Sequence, residues 1–534
     1  MENFPLLEPM HSDEKMKSYE LRLVDLFCSL RRDNGDYVEL VFDEIASSTI
    51  KDNTIILFIL YKIIGYTRDT LCGKGERDLA YRMIWVLYKH VPDLAIAMLH
   101  LMVRGIIPDS DAIYKTTIEN HVPVHYSEYS FGCWKDVKYF CDFVYKRTRD
   151  PDHRLIAICM TLLNQELYDD FCNNTASLAC KWVPREGSRF SWLFEKMALQ
   201  WIAKVSPRVA KYSSKKKCFM MFRKVLSILN RVIGINEVNM CDNTWGKIDP
   251  RVVSRDQFIR NKNAILNMDR QLGNRYIDRT DRRNCAHTFR ESFIDPGFSH
   301  NSSPSNIACG DFVKWAAYLL ECKNSNNDTT CMQNILYQIT LINRQWANLV
   351  RRLPEIANVL PLVNMALDGD ELYGAIGNAL LIASKSKLGK RIMAADNTPT
   401  WVNLESCANF IDEVGVILYN TNRGTRCNLG PAVDIIQYAF ENDPVGCQSP
   451  TILFCMGMYD TVICNSFRMM YWNHFGDILD NNLYVSGDPF DILRIVTTDL
   501  QIDSFETMGR LLENVRYKII DTMFDKYSPL GKQV

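Results

Sequence analysis

The chain lacks long apolar runs and has almost no net charge. No stretch of eighteen or more apolar residues occurs, although apolar residues make up 47% of the 534 positions, so no transmembrane helix is predicted. The formal net charge is −1, which excludes a protein-wide field that attracts nucleic acid or anionic membrane. The start, Met1-Glu2-Asn3-Phe4-Pro5, lacks the basic and apolar regions of a secretory signal. We therefore expect an intracellular, cytoplasmic protein without membrane association.

Catalytic and metal-binding motifs are also missing. The eighteen Cys residues are scattered without C-x-x-C spacing, which indicates reduced, mostly buried thiols. The nine His residues form no H-E-x-x-H motif, and no G-x-S-x-G sequence occurs. Gly73-Lys74-Gly75-Glu76 lacks the spacing of a phosphate-binding loop and is better explained as a turn between helices. We expect no enzymatic activity, no catalytic residues, no cofactor and no small-molecule substrate.

The first two thirds of the chain show helical periodicity. From about residue 15 to residue 350, apolar side chains recur at helical spacing, as in Ile56, Ile59, Leu60, Ile63 and Ile64. Turn signals such as Pro92-Asp93 and Pro151-Asp152 separate these segments. After a flexible N-terminus, residues 1–14, the pattern predicts an α-helical array over residues 15–353, packed like an irregular solenoid.

After Pro354 the pattern changes to short apolar runs that alternate with helix-like segments. The candidate strands are Leu360–Met365, Arg391–Ala395, Thr451–Met456, Met469–Trp472 and Leu483–Val485. The candidate helices are Leu372–Ser386, Leu404–Tyr419, Leu429–Glu441 and Ile502–Asp525. This alternation predicts a mostly parallel, doubly wound sheet over residues 354–534. The fold class expected is therefore multidomain, α followed by α/β.

The segment from Leu362 to Asp370 resembles the metal-binding Asp-x-Ser-x-Ser loop of a von Willebrand factor A module, with its ligands replaced. Asn364 stands for the Asp, and Ala366 and Asp368 stand for the two Ser residues. Cys427 occupies the slot of the second-loop Thr, and Gly457 that of the last acidic ligand. Magnesium needs hard oxygen ligands, so we expect this site to be degenerate and to bind no metal. A weaker, different site at Asp368 and Asp370 stays open.

Several further peptides carry a resemblance to one family. They are Arg68-Asp69, Gly73-Lys74-Gly75-Glu76-Arg77, Gly132-Cys133-Trp134-Lys135-Asp136, Lys181-Trp182-Val183-Pro184-Arg185, Phe222-Arg223-Lys224-Val225-Leu226-Ser227, Glu237, Met240, Trp245-Gly246-Lys247-Ile248, Gln345-Trp346, Tyr471-Trp472-Asn473 and Ser486-Gly487. In order and spacing the chain resembles, over roughly residues 65–490, a domain-of-unknown-function family of plants, slime moulds and large DNA viruses. The resemblance implies a TROVE-like (HEAT-like) helical array joined to a von Willebrand factor A-like, Rossmann-like module. That family has no established activity.

Local basic clusters suggest RNA as one partner. Ten Lys or Arg stand against five Asp or Glu between residues 251 and 291. The candidate RNA-binding residues are Lys215, Lys216, Lys217, Arg270, Arg275, Arg279, Arg282, Arg283 and Arg290. Arginine guanidinium groups interleaved with Tyr276, His287 and Phe289 suit irregular or single-stranded RNA. The resemblance to the TROVE array, which binds RNA, also favours an RNA partner. A solvated helix face with salt bridges to Asp269, Asp278 and Asp281 explains the same pattern.

The peptide Lys181-Trp182-Val183-Pro184-Arg185 has two interpretations as well. An aromatic residue flanked by cations suits a nucleic-acid contact, whereas a Trp packed at a corner between helices needs no ligand at all. The packed corner is the simpler interpretation.

Two functions follow from these patterns. The first is a non-enzymatic interaction scaffold, in a virion or viral factory if the source is a large DNA virus, with a protein partner at the carboxyl ends of the strands. The candidate partner-binding residues there are Asp368, Asp370, Arg423 and Arg426. The alternative is an RNA-binding ribonucleoprotein factor that uses the basic part of the helical array.

Millimolar Mg²⁺ should leave the melting temperature of the full chain unchanged. The replacements at Ala366, Cys427 and Gly457 remove oxygen ligands, and a ligand stabilises a protein only in proportion to its occupancy. Differential scanning fluorimetry with MgCl2 and with EDTA measures this. A Mg²⁺-dependent rise that Asp368→Ala abolishes would show that the loop still binds the ion.

Overall fold

The computed structural model describes most of the chain. The described residues are 14–31, 34–49, 53–104, 130–269, 279–294, 309–325, 329–351, 353, 355–420, 427, 429–442, 450–458, 462, 464, 466–472, 482–487 and 489–528. Among them, no helix combines the length and the apolar character that crossing a membrane requires.

The described part is mostly helical and carries one sheet in its C-terminal part, as the sequence predicts. The helices are α1 (Glu14–Cys28), α2 (Gly35–Thr49), α3 (Thr54–Arg68), α4 (Arg77–His90), α5 (Pro92–Val103), α6 (Lys135–Thr148), α7 (Arg154–Asn173), α8 (Ala179–Trp182), α9 (Ser191–Val205), α10 (Pro207–Tyr212), α11 (Lys215–Val232), α12 (Asn236–Cys241), α13 (Arg255–Ile265), α14 (Thr280–Ile294), α15 (Cys309–Ser325), α16 (Thr329–Arg351), α17 (Gly369–Lys385), α18 (Phe410–Asn420), α19 (Leu429–Glu441), α20 (Pro489–Thr498), α21 (Ser504–Leu512) and α22 (Lys518–Tyr527). The strands are β1 (Val359–Asn364), β2 (Arg391–Ala395), β3 (Thr400–Asn403), β4 (Ile452–Met456), β5 (Arg468–Trp472) and β6 (Leu483–Val485).

The chain forms two compact units, and each joins segments that are distant in sequence. One unit contains Arg31–Thr244 with Asn514–Val534, and the other contains Met1–Leu30 with Trp245–Glu513. The predicted division into residues 15–353 and 354–534 coincides with the change from helices to strands between α16 and β1. It does not coincide with the packing, because α13–α16 belong to the same unit as the sheet.

In the first unit, which we call the helical unit, α3 forms the centre. Nearly all of its residues are buried, and Asn53 caps its start by accepting a hydrogen bond from the Ile56 amide at 3.2 Å. The C-terminal helix α22 packs against it, with the Phe524 ring 5.0 Å from that of Phe58. The nearly buried Lys62 amine lies 3.0 Å from the carboxylate of Asp521. A segment more than 400 positions downstream in the sequence therefore completes the core that α3 begins.

Two buried carboxylates organise the helical unit, and the first is Asp136 at the start of α6. Its side chain is 1% exposed. The two carboxylate oxygens accept hydrogen bonds from the Arg68 guanidinium at 3.1 and 2.6 Å. The Tyr81 hydroxyl donates to the same carboxylate at 2.6 Å, the Cys133 amide at 2.8 Å, and Arg77 lies at 3.3 Å. Burial, with the carboxylate beside it, holds the pKa of Tyr81 well above its ordinary value, so this phenol stays a donor.

The second buried carboxylate, Asp69, follows α3 directly and is fully buried. Its oxygens accept the amides of Leu71 and Cys72 at 3.0 and 3.2 Å. The same side chain accepts Arg516 Nε at 2.8 Å and the Tyr517 hydroxyl at 3.1 Å. The peptides Arg68-Asp69 and Arg77, which carry the resemblance in sequence, therefore supply a buried polar network.

The glycine-containing peptide after Asp69 forms the turn between α3 and α4. The amide of Lys74 donates to the Tyr66 carbonyl and that of Gly75 to the Asp69 carbonyl, both at 3.0 Å. Gly75 has φ +68°, a conformation that favours glycine. Both amides donate within the turn, so they are not available to bind a phosphate. The peptide is therefore the predicted connection between two helices.

The second unit, which we call the sheet unit, is built on a six-stranded mixed sheet with the order β3-β2-β1-β4-β5-β6. β1 pairs in parallel with β2 and β4, β4 with β5, and β5 with β6, while β3 is antiparallel to β2. β1 and β4 are buried at every position, which is typical of strands covered on both faces. α1 and α19 cover one face, through Val24 and Val433 among others. α17 packs against β1 and β2.

A close contact between α15 and α17 attaches the preceding helices to the sheet. A Cβ atom on Gly377 would lie 2.6 Å from the Cys309 carbonyl carbon, and one on Gly310 would lie 2.8 Å from the Gly374 nitrogen. These distances are too short for any side chain, so the glycines let the two helix backbones touch. This contact places α15 in the same unit as the sheet.

The predicted strands lie within one residue of the observed strands, and four other elements differ. β3 was not expected, because Thr400-Trp401-Val402-Asn403 is a short edge strand with only Val402 buried. The helix predicted over Ile502–Asp525 is interrupted between α21 and α22, where Asn514 accepts the Arg516 amide and caps a 3-10 turn. The helix predicted over Leu404–Tyr419 begins only at Phe410, and α20 was not predicted.

Asp136→Asn should lower the free energy of unfolding by about 3–5 kcal/mol, because it leaves the Arg68 guanidinium buried without a countercharge. Urea denaturation of the purified protein measures the change. Asp36→Asn is the matched control, since Asp36 pairs with Arg82 but is 96% exposed, and exposed pairs contribute little. Equal stability of the two variants would contradict a structural role for the network.

Candidate functional site

The carboxyl ends of β1 and β4 bring together the residues that the sequence places in a degenerate metal loop. β1 ends at Asn364 and β4 at Met456, and the two strands are parallel neighbours, so the loops that follow them meet at one edge of the sheet. Asn364 is fully buried there. Its Nδ2 donates to the Gly457 carbonyl at 2.7 Å, and its Oδ1 accepts the Ala366 amide at 2.9 Å. The side-chain amide therefore links the two loops directly.

The position that replaces the last acidic ligand has no room for a side chain. Gly457 has φ +67°, and a Cβ atom on it would lie 2.4 Å from Leu367 Cδ1. Leu367 is itself buried. A carboxylate at this position would require both a strained backbone and a displaced leucine.

The position that replaces the second-loop Thr contributes a sulfur atom to an apolar cluster. Cys427 Sγ lies 3.3 Å from Met458 Sδ, and Cys427 packs against the buried cluster under α19. Met458 is 1% exposed. A thioether and a thiol are soft groups that suit Mg²⁺ poorly.

The residues present therefore do not fit the magnesium ion of a von Willebrand factor A module. Asn364 uses both its donor and its acceptor within the protein, and Ala366 offers a methyl group. Nowhere in the described part of the chain do three His, Cys, Asp or Glu side chains form a group that could hold a metal ion. We derive no chemistry through a metal at this edge.

The acidic residues of the loop are exposed and lie at the start of α17. Asp368 is the residue before the helix, and its carboxylate does not cap the helix amides. Asp370 pairs with Lys314 of α15 at 2.7 Å. Carboxylates are favoured at a helix N-terminus, so this edge presents negative charge to solvent. The other two candidate partner-binding residues, Arg423 and Arg426, lie outside the described residues.

The arginines of α14 divide into two groups. The Arg282 guanidinium lies 3.8 Å from the centre of the Trp245 ring and donates to the Ala264 carbonyl. Arg290 donates to the Leu266 carbonyl at 3.0 Å and to Asn334 at 3.1 Å, and burial lowers its pKa. These two side chains join helices within the sheet unit. Arg279 and Arg283 are exposed, and Arg270 and Arg275 lie outside the described residues.

The expected salt bridge to Asp281 is replaced by a backbone contact. Asp281 accepts the amides of Trp245 and Gly246 at 2.6 and 2.9 Å. The other basic cluster, Lys215, Lys216 and Lys217, forms the exposed first turn of α11 after the cap Ser214. It belongs to the helical unit, whereas α14 belongs to the sheet unit.

A third basic group, which the sequence does not group together, lies in the helical unit around Trp182. Val183 and Pro184 are buried and Trp182 is partly buried, as expected for a packed corner between helices. The amines of Lys135 and Lys138, both on α6, lie 5.3 and 4.9 Å from the Trp182 ring centre. The i, i+3 spacing of the two lysines on one helix face was the available sequence signal, but only the fold places them at Trp182.

Arg185 and Arg189 complete this group on the segment after α8. Arg189 lies 5.3 Å from the Tyr139 ring and 4.5 Å from the Phe190 ring. Burial, followed by the charges of Lys135, Arg185 and Arg189, lowers the pKa of Lys138 to about 8. We call Lys135, Lys138, Arg185 and Arg189 the cationic corner.

Asn364→Asp should destabilise the protein by about 1–3 kcal/mol, because an ionised carboxylate cannot donate to the Gly457 carbonyl. Urea denaturation with a probe in the sheet unit, such as Trp401 fluorescence, measures the loss. Asn403→Asp is the matched control, since Asn403 is exposed and only accepts, from the Glu405 amide. If Mg²⁺ restored the stability of Asn364→Asp, the remaining oxygens would form an ion site after all.

Comparisons of the chain with protein-family models, curated proteins and solved structures find no match. The assignment of a function therefore rests on the geometry of these surfaces.

Proposed function

We propose that the chain is a non-enzymatic interaction scaffold whose sheet unit is a degenerate von Willebrand factor A-like module. The observation that carries the proposal is the hydrogen bond from Asn364 to the Gly457 carbonyl, which fills the place where such a module binds an ion. The strand order 3-2-1-4-5-6 supports the proposal. In doubly wound sheets of this order, ligands bind at the carboxyl ends where the order reverses, here between β1 and β4.

The partner we propose for this edge is a protein surface with basic groups. In a metal-dependent module the ion attracts a partner carboxylate, whereas here the exposed Asp368 and the Asp370–Lys314 pair leave an acidic loop. The Asn364 bond fixes that loop in advance, so binding would not have to order it. Contacts of this kind are charge-assisted and weaken with salt.

For the helical unit we propose a TROVE-like array. The packing of successive helices against one another, completed by α22, supports this, as do the buried roles of the peptides that carry the resemblance. The viral members of the resembled family extend the proposal to a component of a large DNA virus particle or factory. A rigid helical unit and a pre-formed loop edge suit an assembly component.

An RNA-binding ribonucleoprotein factor is the second candidate. The observation that favours it is the exposure of Lys215, Lys216, Lys217, Arg279 and Arg283, which leaves basic side chains on the surface of both units. Arg282 and Arg290 are removed from this candidate set, because they bind carbonyl groups within the protein.

Asp368→Lys should abolish recovery of the protein partner when the tagged full chain is purified from its native source. Reversing the charge places a cation against the basic surface that we propose, and recovery of the same partner from the unmodified chain should fall as salt rises. Quantitative mass spectrometry compares the two samples.

Asp434→Lys is the matched control, since Asp434 is an exposed acid on α19 and not on the loop after β1. If Asp368→Lys and Asp434→Lys recover the same partners in the same amounts, the loop edge is not an interface.

A further inference from the structure

The cationic corner combines four positive side chains with three aromatic rings. Lys138 Nζ lies 4.9 Å from the centre of the Trp182 ring, 5.6 Å from that of Tyr139 and 5.7 Å from that of Phe190. Lys135 Nζ lies 5.3 Å from the Trp182 ring and 5.5 Å from the Tyr139 ring. The Tyr139 and Phe190 rings contact each other edge to face at 5.4 Å. Residues from α6 and from the segment after α8 therefore build one compact surface.

The acidic residues beside this surface pair with other cations. Glu237 pairs with Lys181 at 2.9 Å, and Glu186 pairs with Arg223. Asp136 is buried and binds Arg68 and Arg77. Of the carboxylates that the structure describes, none forms an ion pair with Lys138, Arg185 or Arg189. Lys138 and Arg189 contact aromatic rings instead of carboxylates, and a cation–π contact compensates a positive charge only in part.

The electrostatic consequence is visible on Lys138. Its pKa is lowered to about 8, first by burial and then by Lys135, Arg185 and Arg189. Cys133 also faces it, but burial raises the pKa of that thiol. Arg77 of α4 and Lys181 of α8 contact the same rings, but each is paired with a carboxylate of its own. An anion seated among these groups would relieve their mutual repulsion.

We infer that the cationic corner is a binding site for the phosphates of a single-stranded nucleic acid, with the exposed part of Trp182 available to one base. The inference rests on the second candidate function but places it at residues that the basic runs of the sequence do not include. Positive side chains interleaved with aromatic rings are how proteins hold single strands without reading their sequence. The carboxylates of an acidic peptide would pair with the positive side chains but would not stack on the aromatic rings.

The test measures binding of a short fluorescein-labelled oligouridylate to the full chain by fluorescence anisotropy at several salt concentrations. The triple variant Lys138→Gln, Arg185→Gln, Arg189→Gln should bind about tenfold or more weakly at low salt. The slope of log K against log salt should fall by about 2, because each phosphate contact on a single strand contributes about 0.7. The triple variant Arg351→Gln, Lys387→Gln, Arg494→Gln is the matched control, since it removes the same number of cations, all of them exposed, from the other unit, and it should keep most of the affinity.

The pH dependence supplies a readout that a structural role would not give. Lys138 loses its charge as the pH rises through about 8, so the affinity of the unmodified chain should fall from pH 7 to pH 8.5. Lys138→Arg should keep the affinity and remove this dependence, because a guanidinium stays protonated throughout. Circular dichroism confirms that each variant is folded.

Three outcomes would overturn the inference, and they can be told apart. No binding by the unmodified chain at low salt overturns this inference and the second candidate function together. Binding that is unchanged in the triple variant, in affinity and in salt slope, overturns the corner alone. Polyglutamate of equal charge that displaces the oligouridylate at the same concentration, and fails to bind the triple variant, assigns the corner to an acidic protein segment instead.

Discussion

The neutralisation of two buried carboxylates is the constraint on which the helical unit depends. Taking a carboxylate out of water costs several kcal/mol unless donors surround it. Asp136 obtains its donors from Arg68, Tyr81 and the Cys133 amide, and Asp69 obtains two of its donors from Arg516 and Tyr517. Since these donors come from segments far apart in the chain, α3, α4, α6 and the C-terminal segment must pack in one arrangement. The central helices of the unit are thereby fixed by a few charged side chains as well as by apolar burial.

In the sheet unit, the main constraint lies at the carboxyl ends of β1 and β4. Two loops must be held beside each other there, at the edge where the sequence predicts a degenerate metal loop. Here the Asn364 side chain spans the gap by donating to the Gly457 carbonyl, and Gly457 leaves the space that Leu367 fills. A link of this kind needs no metal and does not open when an ion leaves. The edge therefore suits steady binding to a partner more than a metal-controlled change of shape.

The distribution of cations explains why the net charge of −1 says little about partners. Arg282 and Arg290 lie in the basic stretch between residues 251 and 291, yet they bind carbonyl groups and hold helices together. Lys138 and Arg189 stand on segments that are about fifty residues apart in the sequence, yet they meet at one corner around Trp182, Tyr139 and Phe190. A run of basic residues in sequence and a basic surface in space are different things, because arginine serves packing as readily as it serves binding.

The sequence by itself determined most of the secondary structure and the class of the C-terminal sheet. Continuous apolar runs identified β1, β2, β4, β5 and β6 within a residue, because strands covered on both faces must be apolar throughout. It also predicted that Asn364, Ala366, Cys427 and Gly457 make a poor magnesium site, since residue type alone decides which atoms can coordinate. Only the tertiary structure decided what those residues do instead, which helices share a unit with the sheet, and which cations meet. All three depend on contacts between distant segments, such as Gly377 with Cys309 or Asp69 with Arg516. The local periodicity of a sequence does not predict such contacts.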